Sequence, residues 1–412
     1  GKLSKLHGGD YWQYARGSKV RKINLDEQWA TFNFLVFWLP LSPMKRIEQK
    51  LKGQLAGRRQ SAALRTLPSK NSLIDFCSND YLGLARCSSA QSVASHGATG
   101  SRLISGNSRL AEDLEAWLAA FHRAPAALLY PSGYMANLGL LAAVADRHDS
   151  IFYDQLVHAS IRDALQLTRA RSFAFRHNDP NDLQRKLRHS RGISFIIVES
   201  IYSMDGDEAP LPELADVAES CGAGLIVDEA HSTGIFGPAG AGLVVEQGLE
   251  ERVWARVHTF GKAIGSHGAA VLGPSYLRDY LINYSRPFIY TTALPPATLL
   301  SIRRGYDALQ EGTACRTLQR NIRRFRDSLS APARCQFIDS RGPIQALLWP
   351  GNREARGLAA ALQKGGFDLR AILHPTVPKG QERIRICLHA YNTLAEIDAL
   401  TESINQIVSD HE

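Results

Sequence analysis

Four short stretches of this chain carry residue types that can do chemistry. The first is TFGKAIGSHG at 259–268, where Lys262 follows an apolar run and is flanked by Gly261, Gly265 and Gly268. Glycines let a backbone approach a ligand closely. A lysine amine is a nucleophile only when neutral, and partial burial favours that form. Gly-Lys alone is weak evidence, because a solvated loop lysine has the same neighbours. The second stretch is VDEAHSTG at 227–234, in which Asp228 closes the apolar run Leu225, Ile226, Val227. In open α/β sheets that strand edge is where ligands bind. A carboxylate placed there needs a cation opposite it, and a protonated ring nitrogen is such a cation. His231, three residues on, can share the pocket. On spacing alone, a helix N-cap for Asp228 and a hydrogen-bonded structural role for His231 stay open.

The third stretch, PSGYMAN at 131–137, lies between a strand at 126–130 and a helix starting near Met135. Amides at a helix start make an anion site, so Gly133 and Tyr134 can seat a phosphate. A plain strand-to-helix turn would look the same. The fourth, YDQLVHAS at 153–160, puts His158 at a helix start, where an imidazole can lie on a planar ring or serve structure only. Each stretch is modest by itself. In order they supply an anion cradle, a ring-facing imidazole, a carboxylate and a lysine. Those are the parts that hold pyridoxal 5′-phosphate (PLP), whose ring needs a carboxylate partner to act as an electron sink. Lys262 is then expected to form the Schiff base with the cofactor.

Something must place these four stretches side by side. Residues 108–123 carry Leu110, Leu114, Trp117, Leu118 and Phe121 at helical spacing. Short apolar runs at 126–130, 150–153, 194–199, 224–228 and 257–260 read as strands, with helical stretches such as 211–219 between them. Strands alternating with helices predict an α/β fold with a mostly parallel sheet covered on both faces. A smaller α+β part follows. It has one long basic helix at 296–329, strands at 343–349 and 383–388, and helices at 353–364 and 394–408. The expected organisation is an extension at 1–43, an N-terminal segment at 44–95, a large domain at 96–295 and a small domain at 296–412.

Composition bounds the rest. The chain has 412 residues, 44% hydrophobic and 21% charged, the balance of a globular protein. Lys and Arg number 48 against 40 acidic residues, so phosphate-bearing ligands, nucleic acid or an anionic surface all fit the charge. The six cysteines show no zinc or disulfide spacing, which points to a reducing cytoplasm. The apolar run from Phe34 to Leu39 is far short of the ~20 residues that span a bilayer. Residues 1–43 hold three of the six Trp, and the first Met is Met44, where a helical pattern of Met44, Ile47, Leu51 and Leu55 begins. The expectation is that native translation starts at Met44; the alternative is an N-terminal arm.

With these motifs in place, the chain resembles the α-oxoamine synthases, PLP enzymes of fold type I, over roughly residues 44–408. The stretches that carry the resemblance include FCSNDYLGL at 76–84, GSRLISGN at 100–107 and ESIYSMDGD at 199–207. The motifs at 228–234 and 259–268 belong to it too, as do RPFIYTTALPP at 286–296, HPTVP at 374–378 and RIR at 383–385. The resemblance implies a role for each matching position. Lys262 would be the Schiff-base lysine, Asp228 the partner of the pyridine nitrogen, His231 that of the ring hydroxyl, and His158 the stacking ring. Gly133, Tyr134 and Thr259 would hold the phosphate. Ser203 would touch the cofactor, with Glu199 and Asn79 in support. Arg385 would clamp the amino-acid carboxylate, a task suited to its planar fork. Arg65 and Thr376 would meet substrate, and Thr291 or Thr292 would reach the neighbouring subunit's phosphate in a homodimer. Ala111 and the pair Leu373, His374 depart from the usual pattern.

The branch most resembled joins L-alanine to a pimeloyl thioester, carried by CoA or by an acyl carrier protein. The basic surface would dock either carrier. No nucleic-acid or membrane partner is expected. Ser101 and the 286–296 stretch favour this branch over the aminolevulinate synthases; a glycine acetyltransferase, an aminolevulinate synthase or a long-chain aminoketone synthase is the alternative within the same family. A PLP-fold regulator without catalysis is the reading from another class, with 1–43 as its nucleic-acid arm, but 43 residues hold no helix-turn-helix pair.

Overall fold

A computed structural model describes residues 43–64, 72–86 and 97–411. Residues 1–42, and with them nearly all of the expected extension, lie outside the described residues. Two compact units divide between Leu64 and Arg65. In the first, the helix Pro43–Gln60 takes up the periodicity that starts at Met44.

The second unit is built on a seven-stranded sheet. Its strands are β1 (Ala126–Tyr130), β2 (Ser150–Asp154), β3 (Arg171–Phe175), β4 (Ser194–Glu199), β5 (Gly224–Asp228), β6 (Ala255–Thr259) and β7 (Ala269–Gly273). They lie in the order β1-β7-β6-β5-β4-β2-β3. The pairs β2–β3, β2–β4, β4–β5 and β5–β6 are parallel, whereas β7 is antiparallel to both β6 and β1. The sheet is therefore mostly parallel, as the alternation predicts. Every residue of β4 is buried, because a central parallel strand is covered on both faces. Successive side chains alternate: Ile196 and Val198 join one apolar cluster, Phe195 and Ile197 the other.

Helices α1 (Arg109–Phe121), α2 (Gly133–Val144) and α3 (Ala159–Leu167) begin at caps written in the sequence. Ser108 Oγ accepts from Ala111 N, and Ser132 Oγ from Met135 N, each satisfying an amide that has no partner in the first turn. α2 starts at Gly133, two residues earlier than predicted.

In the C-terminal part, β8 (Ile344–Leu348), β9 (Arg370–Ile372) and β10 (Arg383–Cys387) form an antiparallel sheet in the order β9-β10-β8. One expectation is corrected. The long helix at 296–329 is two helices, Pro296–Glu311 and Thr313–Ser328. Gly312, at φ +68, turns the chain left-handed between them, a conformation that glycine alone adopts without strain. Among the described residues no helix is long and apolar enough to cross a membrane.

Candidate active site

The carboxyl ends of β4, β5 and β6 open on a cavity of about 260 Å³. Lys262, Asp228, His231, His158, Gly133, Tyr134, Thr259, Asn79 and Glu199 all line it. The four stretches singled out by residue type thus meet at one place.

Lys262 comes from the loop between the antiparallel strands β6 and β7. Phe260 N donates to Gly268 O, Ser266 N to Phe260 O and Gly265 N to Lys262 O, closing the loop on itself. Gly265 has φ +65, and a Cβ there would stand 2.4 Å from Ala85 N. The glycines beside the lysine therefore serve the loop's shape as well as access. Lys262 Nζ lies 2.9 Å from His231 Nε2. Burial lowers its pKa to about 8, against the opposing pull of Asp228 and Glu199.

His231 continues a chain of hydrogen bonds whose protons can be counted. Tyr81 Oη donates to Asn79 Oδ1 at 3.0 Å, and it lies 2.9 Å from His231 Nδ1. The tyrosine has spent its only proton, so His231 Nδ1 carries the hydrogen and donates it. Nε2 is then the lone-pair nitrogen that accepts from Lys262. Burial, with Lys262 and Arg385 nearby, holds His231 neutral by pushing its pKa well down. Asn79 Oδ1 also accepts from Arg385 Nη2 at 3.0 Å, and Arg385 Nε donates to Ser203 O at 2.6 Å.

Asp228 is the last residue of β5 and stands in register with Glu199, the last of β4. Asn137 Nδ2 donates to Asp228 Oδ2 at 2.7 Å, and Ala230 N to Oδ1 at 2.9 Å. Glu199 is fully buried beside this like charge. Burial first, and Asp228 second, push its pKa up to about 8. His158 caps α3 through its Nδ1, which accepts from Ser160 N and lies 2.8 Å from Ser160 Oγ. Burial lowers its pKa, with Asp228 opposing. At the start of α2, a Cβ on Gly133 would stand 2.4 Å from Thr259 Cγ2, so no larger residue fits. The first-turn amides of Gly133 and Tyr134 have no carbonyl one turn back to bond.

Other predicted residues stand aside from this cavity. Ser203 and Thr376 line an adjoining cavity of about 620 Å³, which shares His158 with the first. Arg385 reaches the site through Asn79. Arg65 lies outside the described residues. Thr291 and Thr292 border a separate small cavity. Residue-type reasoning gave no role to Asn137, Ser160 or Tyr81. Asn137 had a signal: it lies one turn after Gly133, on the helix face that leans back toward the strand ends.

The donor set fits pyridoxal phosphate. There is a carboxylate for a ring nitrogen, an imidazole for a ring face, helix-start amides for a phosphate and an amine for an aldehyde. Asn137 Oδ1 and Glu199 Oε1 are buried on the cavity wall without hydrogen-bond partners, which suits a pocket built for a polar guest.

Comparison with known proteins agrees. Residues 71–404 match the class I and II aminotransferase family. The chain is 42% identical to the 8-amino-7-oxononanoate synthase of Emericella nidulans, over 83% of this chain and 90% of that protein. The solved 8-amino-7-oxononanoate synthase of Francisella tularensis overlays with a TM-score of 0.69 at 30% identity, covering 83% of this chain and 99% of that one. A lysine-to-alanine variant of the serine palmitoyltransferase from S. paucimobilis with a bound PLP–myriocin aldimine overlays with a TM-score of 0.79 at 26% identity, covering 90% of this chain and 100% of that one. The chain belongs to the class I and II aminotransferase family and, within it, to the 8-amino-7-oxononanoate synthases. Its cofactor is PLP.

Proposed function

We propose that this enzyme condenses L-alanine with a pimeloyl thioester, releasing CO2 and a thiol, to give the 8-amino-7-oxononanoate of biotin biosynthesis. The observation that carries the reading is the buried amine of Lys262, 2.9 Å from His231 in the cavity that also holds Asp228. When bound, PLP supplies an aldehyde that captures amines and a protonated ring that withdraws electrons.

The chain's own groups do the rest. Gly133, Tyr134 and Thr259 would hold the phosphate, and His158 would cover the ring. Asp228, fixed by Asn137 and Ala230, would keep the proton on the ring nitrogen. His231 orients the Lys262 amine and faces the ring hydroxyl. Lys262 Nζ takes the α-proton of alanine as general base and returns a proton to the same carbon at the end. Arg385, anchored on Asn79 and Ser203, pairs with the alanine carboxylate. Thr376 and Ser203 wall the larger cavity, which has the room the acyl thioester needs. Arg65 is assigned to substrate as well. The α-carbon displaces the thiol, and the resulting β-keto acid loses CO2.

The working form is proposed to be a homodimer in which Thr291 or Thr292 approaches the neighbour's phosphate. Ile104, Tyr276, Tyr284 and Tyr290 are exposed in the single chain, an apolar surface that a subunit contact would cover. The acyl carrier is CoA or acyl carrier protein. The larger TM-score with serine palmitoyltransferase favours one second reading, a sibling that takes a long acyl chain.

Absorbance and turnover decide between the two. L-alanine should shift a visible band, and pimeloyl-CoA should then release CoA. Preference for L-serine with palmitoyl-CoA would replace the proposal, and a chain with no visible band would remove it.

A further inference from the structure

We propose that His177 is a positioning residue for the acyl thioester: as an imidazolium it ties together the two loops that wall the 620 Å³ cavity. The inference rests on the proposed function above, because that cavity is taken to seat the thioester.

The first loop follows β2 and supplies Gln155, Leu156, Val157 and His158 to the cavity; the second, at 200–208, supplies Tyr202, Ser203, Met204 and Asp205. His177 belongs to neither loop. It follows β3, and its two ring nitrogens face one carboxylate from each side. Nδ1 lies 3.0 Å from Asp154 Oδ1, at the root of the first loop, and Nε2 lies 2.7 Å from Asp207 Oδ2, in the second. A neutral imidazole has one N–H and can donate to only one of them, whereas an imidazolium donates to both.

The surroundings support the charged form. Tyr202 lays its ring edge-on at 4.5 Å between centroids. Asn178 adds two neutral ties, from its N to Asp154 Oδ2 and from Nδ2 to Asp207 Oδ2, each at 2.8 Å. The other charges at hand are spoken for: Asp205 pairs with Arg383, and Glu208 with Arg341. No cation but His177 therefore stands between Asp154 and Asp207 among the described residues. Burial acts against the proton, but the two carboxylates outweigh it and raise the pKa to about 9. The tie is complete at neutral pH and is lost as pH rises through about 9. Without it, two carboxylates face each other and only the neutral ties from Asn178 still join the loops.

The test uses the holoenzyme and a His177→Asn variant. The Michaelis constant for pimeloyl-CoA should rise about tenfold, while the alanine concentration that half-saturates the visible shift stays within about twofold. Backbone hydrogen exchange at 200–208 should quicken. In the wild type, protection there, measured against the intrinsic base-catalysed rate at each pH, should fall above pH ~9. In Asp207→Asn that step should move to lower pH, because one carboxylate no longer holds the proton. An unchanged thioester constant with unchanged exchange overturns the proposal, and so does an equal loss of alanine and thioester binding. His177, Asp205 and Asp207 also bring ligand atoms within 4.8 Å of one another. If EDTA reproduces the variant's behaviour in the wild type, a metal ion holds the loops and the imidazolium proposal falls. Should the wild type turn over no pimeloyl-CoA, the functional reading fails, and the pH step in exchange still judges the tie.

Discussion

His231 and His177 are both sheltered from water, and their protons go opposite ways. Burial lowers the pKa of each. Around His231 the nearby charges are Lys262 and Arg385, which add to burial and keep the ring neutral. Around His177 they are Asp154 and Asp207, which overturn burial and keep it charged. The carboxylates of the cofactor pocket, Asp228 and Glu199, act on Lys262 instead and hold its pKa at about 8 against the burial that lowers it. At His231 burial is the larger cause and the cations add to it, whereas at the half-buried His177 two carboxylates outweigh burial. The result is a neutral acceptor beside the reacting amine and a fixed cation beside the wall of the larger cavity.

The comparison breaks first at the lysine. A Lys262→Ala variant removes the donor to His231 Nε2 and the proposed base together. Turnover should fall roughly 10³-fold, and the visible band should vanish even where PLP still binds. Retained turnover within tenfold would mean that another group takes the proton. Protonation of the same amine gives a second check. With a pKa of about 8, the neutral form grows about tenfold for each pH unit from 6 to 7 and levels off above ~9. The rate of PLP capture by the apo chain, followed by absorbance, should trace that rise. A flat profile would mean that the pocket does not hold Lys262 low.

The two regions also differ in how much of them the sequence shows. The cofactor pocket is legible because each part lies at the end of an apolar strand, within a local string such as the one around Asp228 or Lys262. Its supporting groups are less so. Asn137 and Ser160 need the helix direction to be known, and Tyr81 bonds a histidine 150 positions away. The His177 tie is not legible at all, since its carboxylates lie 23 and 30 positions off along the chain. Of the fold, the central parallel strands β4 and β5 stand out as apolar runs. The edge strand β3 does not, because RSFAF is largely exposed or half-buried. β7 is hidden too, as a short run just past the glycine-rich loop, and Gly312 alone does not announce that two helices meet there.

The second break is thermodynamic. The pKa of His177 is raised from 6.5 to about 9, which corresponds to on the order of 3 kcal/mol of folding stability. The sign follows from linkage: the contribution is fully present below pH ~6.5 and is lost as pH rises through about 9. Denaturant unfolding of the wild type and His177→Asn should therefore differ most at pH 6 and converge near pH 10. A gap that does not change with pH would make the histidine a packing residue rather than a charged tie.

The smallest expected effect sharpens the neutral side. Tyr81 Oη accepts from His231 Nδ1 and donates to Asn79 Oδ1, so Tyr81→Phe leaves a buried N–H without its acceptor. One such loss costs about 1–3 kcal/mol. The ring stays neutral either way, because burial and Lys262 act on it unchanged. What changes is the tautomer. With no acceptor at Nδ1, the hydrogen is free to move to Nε2, which would then meet Lys262 with a donor in place of a lone pair. The variant should therefore lose about five- to tenfold in kcat, with the thioester constant unmoved. Losses in both constants would show that Tyr81 positions the pocket as a whole rather than the proton on His231.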